Sequence, residues 1–461
     1  MPPSTASADQ LISLLRIHGA MSGAALAAAL RVSRPTLSRL VAAAGNSVLR
    51  FGSARATTYV ATGEVRGERQ WPIYQIAVNA QVSAIGTLKA LHGDGFFVSL
   101  TDAARQLLQP PLDAGVFESL PWFLDDQRPQ GFLGRLLARH VAGRLGLSAD
   151  LLLWSAKDTL IALLAEGHDL AGNLVIGDHA LERALQGITA PSLLALNDRP
   201  VVYVERAAAA LRGDTVGSSA AGEQPKFTVV LDGEQGPQPV IVKFSALLDT
   251  AVGARWADLL RMEHLAGIVL NDHGIAAAHS EVHAYGGRLF LQSTRFDRTP
   301  CLGRRGFVSL LALDSAFYAD DRYRTWRGLA PLLARDGWLS PASARQLEVI
   351  NWFGVLIGNT DMHFGNVGLL QHDQRPWSLA PVYDMLPMVL RPAANGEVVD
   401  REIEVLVPTA GQFEHWQAAA ILASDFWTRV THDMAIDAAV RGIAGRALQN
   451  IARVRDRLRV A

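Results

Sequence analysis

The sequence predicts an α+β protein of several domains, and three observations lead to this class. The chain has 461 residues, which is too long for a single hydrophobic core. Its composition is 49% hydrophobic and 19% charged, which is typical of globular rather than disordered proteins. Helical stripes and β-runs follow one another along the chain. We therefore expect a mixed architecture of packed domains.

Composition also limits the compartment and the partners. The net charge of −1 gives no sign of nucleic-acid binding by the molecule as a whole. The single cysteine, Cys301, rules out an internal disulfide framework and fits a reducing compartment. The first ten residues lack the basic start and apolar core of a signal peptide, and no apolar stretch approaches the roughly 20 residues of a membrane span. We expect a cytoplasmic protein without a membrane partner.

Residues 1–63 are predicted to form a winged helix-turn-helix. The first sixty residues carry six arginines against one acidic residue, Asp9, so this part of the chain is a separate basic module. Helical stripes cover 9–19, 22–30 and 33–45, where Ser33 can cap the third helix and Pro35 suits its first turn. Two short strands around a Gly/Ser turn follow. The polar residues 64–71 are interpreted as a linker.

The third helix is the expected recognition helix of this module. Its N-terminal half carries four polar side chains that can face bases and phosphates in the major groove, and two arginines would lie on the wing. These candidate DNA-binding residues are Arg34, Thr36, Ser38, Arg39, Arg50 and Arg55. A small helical protein-interaction domain is the alternative. The basic excess and the capped third helix favour DNA as the partner.

The segment 217–245 is predicted to bind an anion. A loop of small residues precedes a β-run at 227–231, a turn, and a second β-run at 240–244. Small residues let backbone N–H groups approach an anion closely. Only four residues of the chain are lysines, and two of them, Lys226 and Lys243, fall here. Glu263, on a helix about twenty residues later, is expected to pair with Lys243, as in protein kinases; an exposed Glu and a snorkelling Lys are the alternative.

The loop "GNTDMHFGN" at 358–366 is predicted to be catalytic. Asp361 precedes Asn366 by five residues, the spacing of the base and the metal-binding amide in kinase catalytic loops. Asp384 ends a later apolar run and adds the second oxygen ligand that Mg²⁺ needs. A metal pair of Asp361 and His363, or a plain Asx-rich turn, are the alternatives; the spacings of an EF-hand are absent.

Taken together, these segments resemble the HipA family of bacterial serine/threonine kinase toxins. The matching pieces are "SAAGEQPKF" (219–227), "IVKF" (241–244), "TRFDR" (294–298), "GNTDMHFGN" (358–366) and "PVYDM" (381–385). The resemblance covers about residues 72–430. It implies a two-lobed kinase fold, with the N-terminal region and N-lobe at 72–300 and a mainly helical C-lobe at 301–461. The preceding basic module resembles the subgroup in which a DNA-binding domain is fused to the kinase.

The resemblance also implies roles for individual residues. Asp361 matches the catalytic base, Asn366 and Asp384 match the Mg²⁺ ligands, and Ser219 matches the autophosphorylated serine. The residues implied to bind ATP are Ala221, Gly222, Glu223, Gln224, Pro225, Lys226, Lys243, Thr294, Arg295, Phe296, His363, Asn366, Tyr383 and Asp384. Three features depart from the pattern: Met362 replaces a common basic residue, Glu223 replaces a small one, and Ser218 is a second candidate phosphorylation site.

The sequence therefore predicts an ATP- and Mg²⁺-dependent protein serine/threonine kinase that acts as a toxin of a toxin–antitoxin system. The resemblance implies an aminoacyl-tRNA synthetase as a possible protein substrate, a possible antitoxin partner, and DNA binding through the fused module. Two alternatives stay open. One is a transcriptional regulator with a weakened or ATP-sensing kinase fold, and the other is a small-molecule kinase.

Overall fold

The structure is a computed structural model that describes residues 6–52, 57–212 and 224–460. Within these ranges, every helix is too short or too polar to cross a lipid bilayer. The described residues form four sheets, each with helices packed beside it.

The N-terminal domain contains three helices and a three-stranded antiparallel sheet in the order β1-β3-β2. Its elements are α1 (Ala8–His18), β1 (Met21–Ser22), α2 (Gly23–Leu30), α3 (Arg34–Ala44), β2 (Val48–Phe51) and β3 (Thr58–Ala61). The helices and the two longer strands lie where the sequence predicts them, and β1 is additional. Ser33 caps α3 by accepting a hydrogen bond from the Thr36 N–H at 3.4 Å.

The middle domain follows, with a five-stranded antiparallel sheet in the order β7-β6-β5-β4-β8. Its elements are β4 (Gln70–Ile76), β5 (Val82–Ala90), β6 (Phe96–Leu100), β7 (Val116–Phe117), α4 (Gly131–Leu145), α5 (Ala156–Glu166), β8 (Leu174–Ile176) and α6 (Asp178–Thr189). Helix α4 begins at Gly131.

Residues 64–71 are not the free linker that the sequence suggests. Val65 is buried and forms a β-bridge with Glu68, and β4 already begins at Gln70. The chain just before them is also paired, because the Gly63 N–H donates to the Ala90 carbonyl at 2.9 Å. Main-chain pairing of this kind leaves no trace in side-chain polarity, so a polar, glycine-containing stretch resembles a linker in the sequence.

A second five-stranded sheet, in the order β12-β13-β11-β10-β9, lies beside a long helix. Its elements are β9 (Leu193–Ala195), α7 (Arg199–Arg212), β10 (Lys226–Gly233), β11 (Gly236–Phe244), α8 (Ala251–Asp272), β12 (Ser280–Tyr285) and β13 (Arg288–Thr294). The pairing of β10 with β11 sets Lys226 opposite Lys243. Residues 72–300, grouped together in the sequence-based prediction, thus form two separate sheets.

The C-terminal part is mainly helical, with one small sheet in the order β14-β15-β16. Its elements are β14 (Gly306–Ser309), α9 (Leu310–Leu313), α10 (Trp326–Arg335), α11 (Pro341–Leu356), β15 (Gly368–Gln371), β16 (Ser378–Leu379), α12 (Phe413–His432) and α13 (Ala438–Val460). Phe353 of α11 and Phe426 and Trp427 of α12 are fully buried at the contact between these helices. This core fixes the end of α11, from which the polar loop at 358–366 emerges.

Candidate active site

One buried amide joins the two polar loops of the C-terminal part. Asn359 lies just after α11 with 7% of its surface exposed. Its Oδ1 accepts a hydrogen bond from the Asp361 N–H at 3.0 Å, and its Nδ2 donates to the Asp384 carbonyl at 3.4 Å. Asp384 itself has a φ of 53°, in the left-handed region that non-glycine residues rarely adopt. The Asp361 and Asp384 loops are therefore held in one fixed arrangement.

Asp361 and Asn366 are joined across the five-residue spacing. Asn366 Nδ2 donates to the Asp361 carbonyl at 2.9 Å, which leaves the Asn366 Oδ1 atom to face elsewhere as a ligand. The Asp361 side chain is half-buried, and no described residue donates a hydrogen bond to its carboxylate. That carboxylate is consequently available to accept a proton from an incoming group.

Hydrogen bonds of His363 and the packing of Met362 help to hold the loop at 358–366 in its conformation. The His363 Nδ1 atom accepts a hydrogen bond from the Gly365 N–H at 3.0 Å, and its carbonyl accepts one from the Trp326 indole at 3.1 Å. Met362 packs against α11, where a Cβ added to Gly354 would lie 2.4 Å from the Met362 sulfur. Met362 thus fills space that a charged side chain could not occupy without desolvation.

Lys243 carries the central ion pairs of the site. Its Nζ lies 2.6 Å from Glu263 Oε1 on α8 and also contacts the Asp384 carboxylate. Only 8% of the Lys243 side chain and 10% of the Glu263 side chain are exposed, whereas 30% of Asp384 is. The structure therefore contains the Lys–Glu pair that the sequence predicts. Asp384 joins it as a second carboxylate on the same ammonium.

The charges of this triad are set by burial and by each other. Burial alone would lower the pKa of Lys243, but Asp384 and Glu263 outweigh it and raise that pKa. Burial raises the pKa of Glu263. Burial also acts to raise the pKa of Asp384, but Lys243 and Lys226 hold it below its usual range. Asp384 is thereby kept ionised, as an oxygen ligand for a cation must be.

An apolar cavity of about 360 Å³ lies on one side of Lys243. Phe296, Phe307 and Tyr383 form an aromatic wall, with ring centroids 5.6 Å apart for Phe296 and Tyr383. The Tyr383 hydroxyl donates to the Gly365 carbonyl at 2.8 Å, which ties this wall to the Asp361 loop. Burial raises the pKa of Tyr383 well above its ordinary value. The cavity is suited to a flat, mostly apolar group such as a nucleobase.

The segment before Phe296 borders this cavity but is already hydrogen-bonded. The Thr294 N–H donates to the His279 carbonyl at 2.8 Å, and the Arg295 N–H donates to the Pro239 carbonyl at 2.9 Å. The Arg295 guanidinium is engaged by Asp169 and Asp297. Thr294 and Arg295 therefore line the cavity with groups whose hydrogen bonds are made within the protein.

A polar cavity of about 430 Å³ lies on the other side of Lys243. Asp361, His363 and Asn366 line it, together with Gln224. Gln224 Nε2 donates to the Phe244 carbonyl, and the neighbouring Pro225 carbonyl accepts from the Phe244 N–H at 3.1 Å. The two cavities share Leu133, Lys226, Lys243, Glu263 and Asp384. Two lysines thus stand where the apolar and polar cavities meet.

Several predicted residues lie outside the described ranges. They are Arg55 of the wing, the candidate phosphorylation sites Ser218 and Ser219, and the loop residues Ala221, Gly222 and Glu223. Their predicted roles stay predictions.

The remaining N-terminal candidates are exposed or half-buried in the N-terminal domain. Arg34, Ser38 and Arg39 are exposed on α3, and Arg50 is exposed on β2. Thr36 is half-buried, and its hydroxyl is hydrogen-bonded to Ser33 Oγ at 3.0 Å and to Arg39 Nη2 at 3.3 Å. Thr36 therefore supports the start of α3.

Sequence reasoning missed three parts of this site. Asn359 lies within the loop at 358–366, but only the folded chain brings it to Asp384. Phe307 lies on β14, outside every motif. Residues 130–133 at the start of α4 line the polar cavity, although they belong to the middle domain. Each of these contacts is made across more than twenty residues of sequence, and a local pattern does not reveal such contacts.

Two matches with known families cover most of the chain. Residues 67–185 match the family described as "YjjJ-like toxin, middle domain", and residues 218–454 match "HipA-like C-terminal domain". The chain therefore belongs to the HipA-like family of toxins.

Within that family the chain is similar to Toxin YjjJ of Escherichia coli (strain K12). The two are 36% identical over 448 residues, which is 96% of this chain and 98% of the relative. The fold also resembles a solved structure of HipA from the Shewanella oneidensis MR-1 toxin–antitoxin system, in complex with HipB and its operator DNA. That match has a TM-score of 0.53 at 18% identity and covers 83% of this chain and 97% of that one.

Proposed function

We propose that this protein is an ATP- and Mg²⁺-dependent protein serine/threonine kinase that acts as a toxin of the toxin–antitoxin type. The observation that carries the proposal is the meeting of two cavities at Lys243 and Asp384. An apolar, aromatic-walled cavity suits a nucleobase, and the polar cavity beside it contains Asp361 with an unengaged carboxylate. A triphosphate that joins the two would pass Lys226 and Lys243.

The donor set fits magnesium bound together with a nucleotide. Asn366 Oδ1 and the ionised Asp384 carboxylate are hard oxygen donors of the kind Mg²⁺ prefers. Among residues 6–52, 57–212 and 224–460, no group of three His, Cys, Asp or Glu side chains could hold a metal by itself. The remaining ligands of such an ion would be phosphate oxygens and water. Bound there, Mg²⁺ would neutralise phosphate charge.

The chain's own residues supply the rest of the reaction. Asp361 accepts the proton of the acceptor hydroxyl, and Asn359 holds Asp361 in register with Asp384. Lys243, positioned by Glu263, holds phosphate oxygens as a compact cation, and Lys226 adds a second positive charge. Phe296 and Tyr383 enclose the base. Proteins catalyse phosphoryl transfer mainly by positioning the reactants and by neutralising charge.

The same proposal assigns regulation to two further parts of the chain. Ser219 is the proposed autophosphorylation site, with Ser218 as its neighbour. The N-terminal domain is proposed to be a winged helix-turn-helix that binds the protein's own operator through α3, supported by its three helices, its small sheet and its exposed arginines. The complex of HipA with HipB and operator DNA supports DNA and an antitoxin as partners.

Radiolabelled ATP added to purified protein, alone and with cell lysate, tests the catalytic proposal. We expect Mg²⁺-dependent label on the protein itself and on a lysate protein. Asp361→Asn should lose at least 100-fold of this activity, because general base catalysis contributes about 10²–10⁴-fold. Asp373→Asn, which alters an exposed aspartate on a turn, is the matched control and should behave as the wild type.

Mapping of the labelled sites completes the experiment. Ser219→Ala should remove the label from the protein itself and leave label on the lysate target. Wild-type label no higher than that of Asp361→Asn would contradict the kinase assignment. Label confined to small molecules would contradict protein as the substrate.

A further inference from the structure

A cavity of about 270 Å³ lies behind the nucleotide cavity, where the middle domain meets the second five-stranded sheet. Five arginines line it: Arg183, Arg206, Arg295, Arg298 and Arg304. Asp169 is the one carboxylate among the described residues that line it. Some side chains line this cavity but not the nucleotide cavity, and none of them has a role in the proposed kinase reaction.

Three of the arginines are neutralised within the protein. Arg295 and Arg298 share Asp169 and Asp297, with Arg298 Nη1 at 2.6 Å from Asp297 Oδ2 and Arg298 Nη2 at 2.9 Å from Asp169 Oδ1. Arg183 pairs with Glu166. Asp297 also accepts the Gly172 N–H at 3.1 Å, so both of its carboxylate oxygens are engaged within the protein.

Arg304 makes no such ion pair with any carboxylate in the described ranges. It is 4% exposed, and its Nη2 atom donates to the His168 carbonyl. Its Nε and Nη1 atoms are buried and have no hydrogen-bond partner among the described residues. Burial, together with the nearby Arg298, lowers the pKa of Arg304 to about 9, as expected at a site of positive potential. A buried guanidinium without an anion is costly.

Arg206 is the second arginine of this cavity that has no acidic partner among the described residues. It projects from α7, and its Nη1 atom donates to the Thr228 carbonyl at 2.8 Å. His168 adds a buried Nδ1 atom that has no hydrogen-bond partner among the described residues. Burial, and next the nearby Arg183, lower the pKa of His168. A divalent anion would neutralise two cations on the wall of one cavity. Guanidinium groups also match the geometry of phosphate oxygens.

We propose that this cavity binds a small phosphate-bearing ligand, held by Arg304 and Arg206. The remaining wall is partly apolar, with Ile188, Pro191 and Leu302, so the volume accommodates an organic group in addition to the phosphate. Arg295, Asp169 and Thr228 line both this cavity and the nucleotide cavity. The site is separate from the proposed reaction and does not depend on it.

Thermal unfolding and titration calorimetry of the full chain test this site. Inorganic phosphate should raise the Tm above that in chloride at equal ionic strength, because a ligand that binds only the folded state stabilises it. Arg206→Gln, on an exposed helix position, should weaken phosphate binding at least tenfold without lowering the Tm in chloride. Arg304→Met should also weaken binding at least tenfold, and its Tm in chloride should equal or exceed that of the wild type.

Two control variants distinguish this site from phosphate binding at the surface or in the nucleotide cavity. Arg322→Gln removes an arginine whose side chain is 77% exposed, and it should bind phosphate as the wild type does. Lys226→Gln, in the nucleotide cavity, should also keep the wild-type affinity for phosphate.

Glycerol 3-phosphate that binds as tightly as phosphate would identify an organic monoester as the ligand class, whereas binding of inorganic phosphate alone would identify phosphate itself. Equal Tm values in phosphate and chloride, or phosphate binding that Lys226→Gln removes and Arg206→Gln keeps, would overturn the proposal.

Discussion

At the scale of single residues, the site depends on one ammonium shared by two carboxylates. Lys243 lies between Glu263 and Asp384, and little of the lysine is exposed. Buried ion pairs of this kind add little net stability, but removal of one partner leaves uncompensated charge in the interior. The lysine therefore matters to the fold as well as to the proposed chemistry.

Lys243→Met is expected to lower the free energy of unfolding by about 3–5 kcal/mol at pH 7, because it leaves two carboxylates without their cation. In the variant, the folded-state pKa values of these carboxylates exceed their unfolded values, so the deficit should shrink as the pH falls through the folded-state values. Urea denaturation at several pH values measures this. The double variant Lys243→Met/Glu263→Leu should recover part of the loss, and a double variant less stable than Lys243→Met would contradict this account.

The sequence identified most of the residues around Lys243 but not the one that aligns them. The spacing of Asp361 and Asn366 and the lysine in a β-run are local signals, because catalytic groups on one loop have to keep a fixed distance. Asn359 joins loops that are 25 residues apart, so its role depends on the tertiary fold. Phe307 is likewise an ordinary apolar residue until β14 places it beside Tyr383.

At the scale of elements, α3 combines a capped N-terminus with exposed basic side chains. Ser33 caps the helix, Pro35 lies in its first turn, and Arg34 and Arg39 point away from the domain core. Caps and apolar stripes are local features, which explains why the three N-terminal helices could be predicted from sequence. Strand β1, with two residues, was missed because so short a strand is defined only by its pairing with β3.

Arg34→Ala/Arg39→Ala is expected to weaken binding to a DNA fragment from the protein's own promoter. Each lost phosphate contact should reduce the slope of log affinity against log salt by about 0.9, so the pair should reduce it by about 2. Fluorescence anisotropy at several salt concentrations measures both effects. Arg16→Ala, an exposed arginine on α1, is the matched control. Unchanged affinity in the double variant would rule out α3 as the DNA-contacting helix.

At the scale of the whole molecule, the N-terminal domain continues into the middle domain through paired main chain. Thr62 and Leu91 form a β-bridge, the His92 N–H donates to the Ala61 carbonyl at 2.9 Å, and Phe51 packs on Phe97 at 5.6 Å. A Cβ at Gly63 would lie 2.2 Å from the Leu91 carbonyl oxygen. Glycine is therefore required where these two domains approach each other.

Gly63→Ala is expected to cost about 1–3 kcal/mol, the usual range for overpacking, and to loosen the junction. Its Tm should fall, and limited proteolysis should cut faster between the N-terminal and middle domains. Gly143→Ala is the control, since a Cβ there meets nothing within 4 Å and alanine favours its helix. A Gly63→Ala variant with the wild-type Tm and digestion pattern would show that the junction tolerates the extra carbon.

Because the junction is made of paired main chain, the N-terminal domain keeps one fixed orientation relative to the middle domain. A domain on a loose tether meets DNA at any angle, and the length of the tether sets its reach. Here the β4–β5 sheet carries the domain, so the body of the protein would lie over a fixed stretch of the duplex whenever α3 enters the groove. For two copies on one operator, the distance between half-sites would then be set by the fixed placement of the domain on the protein body.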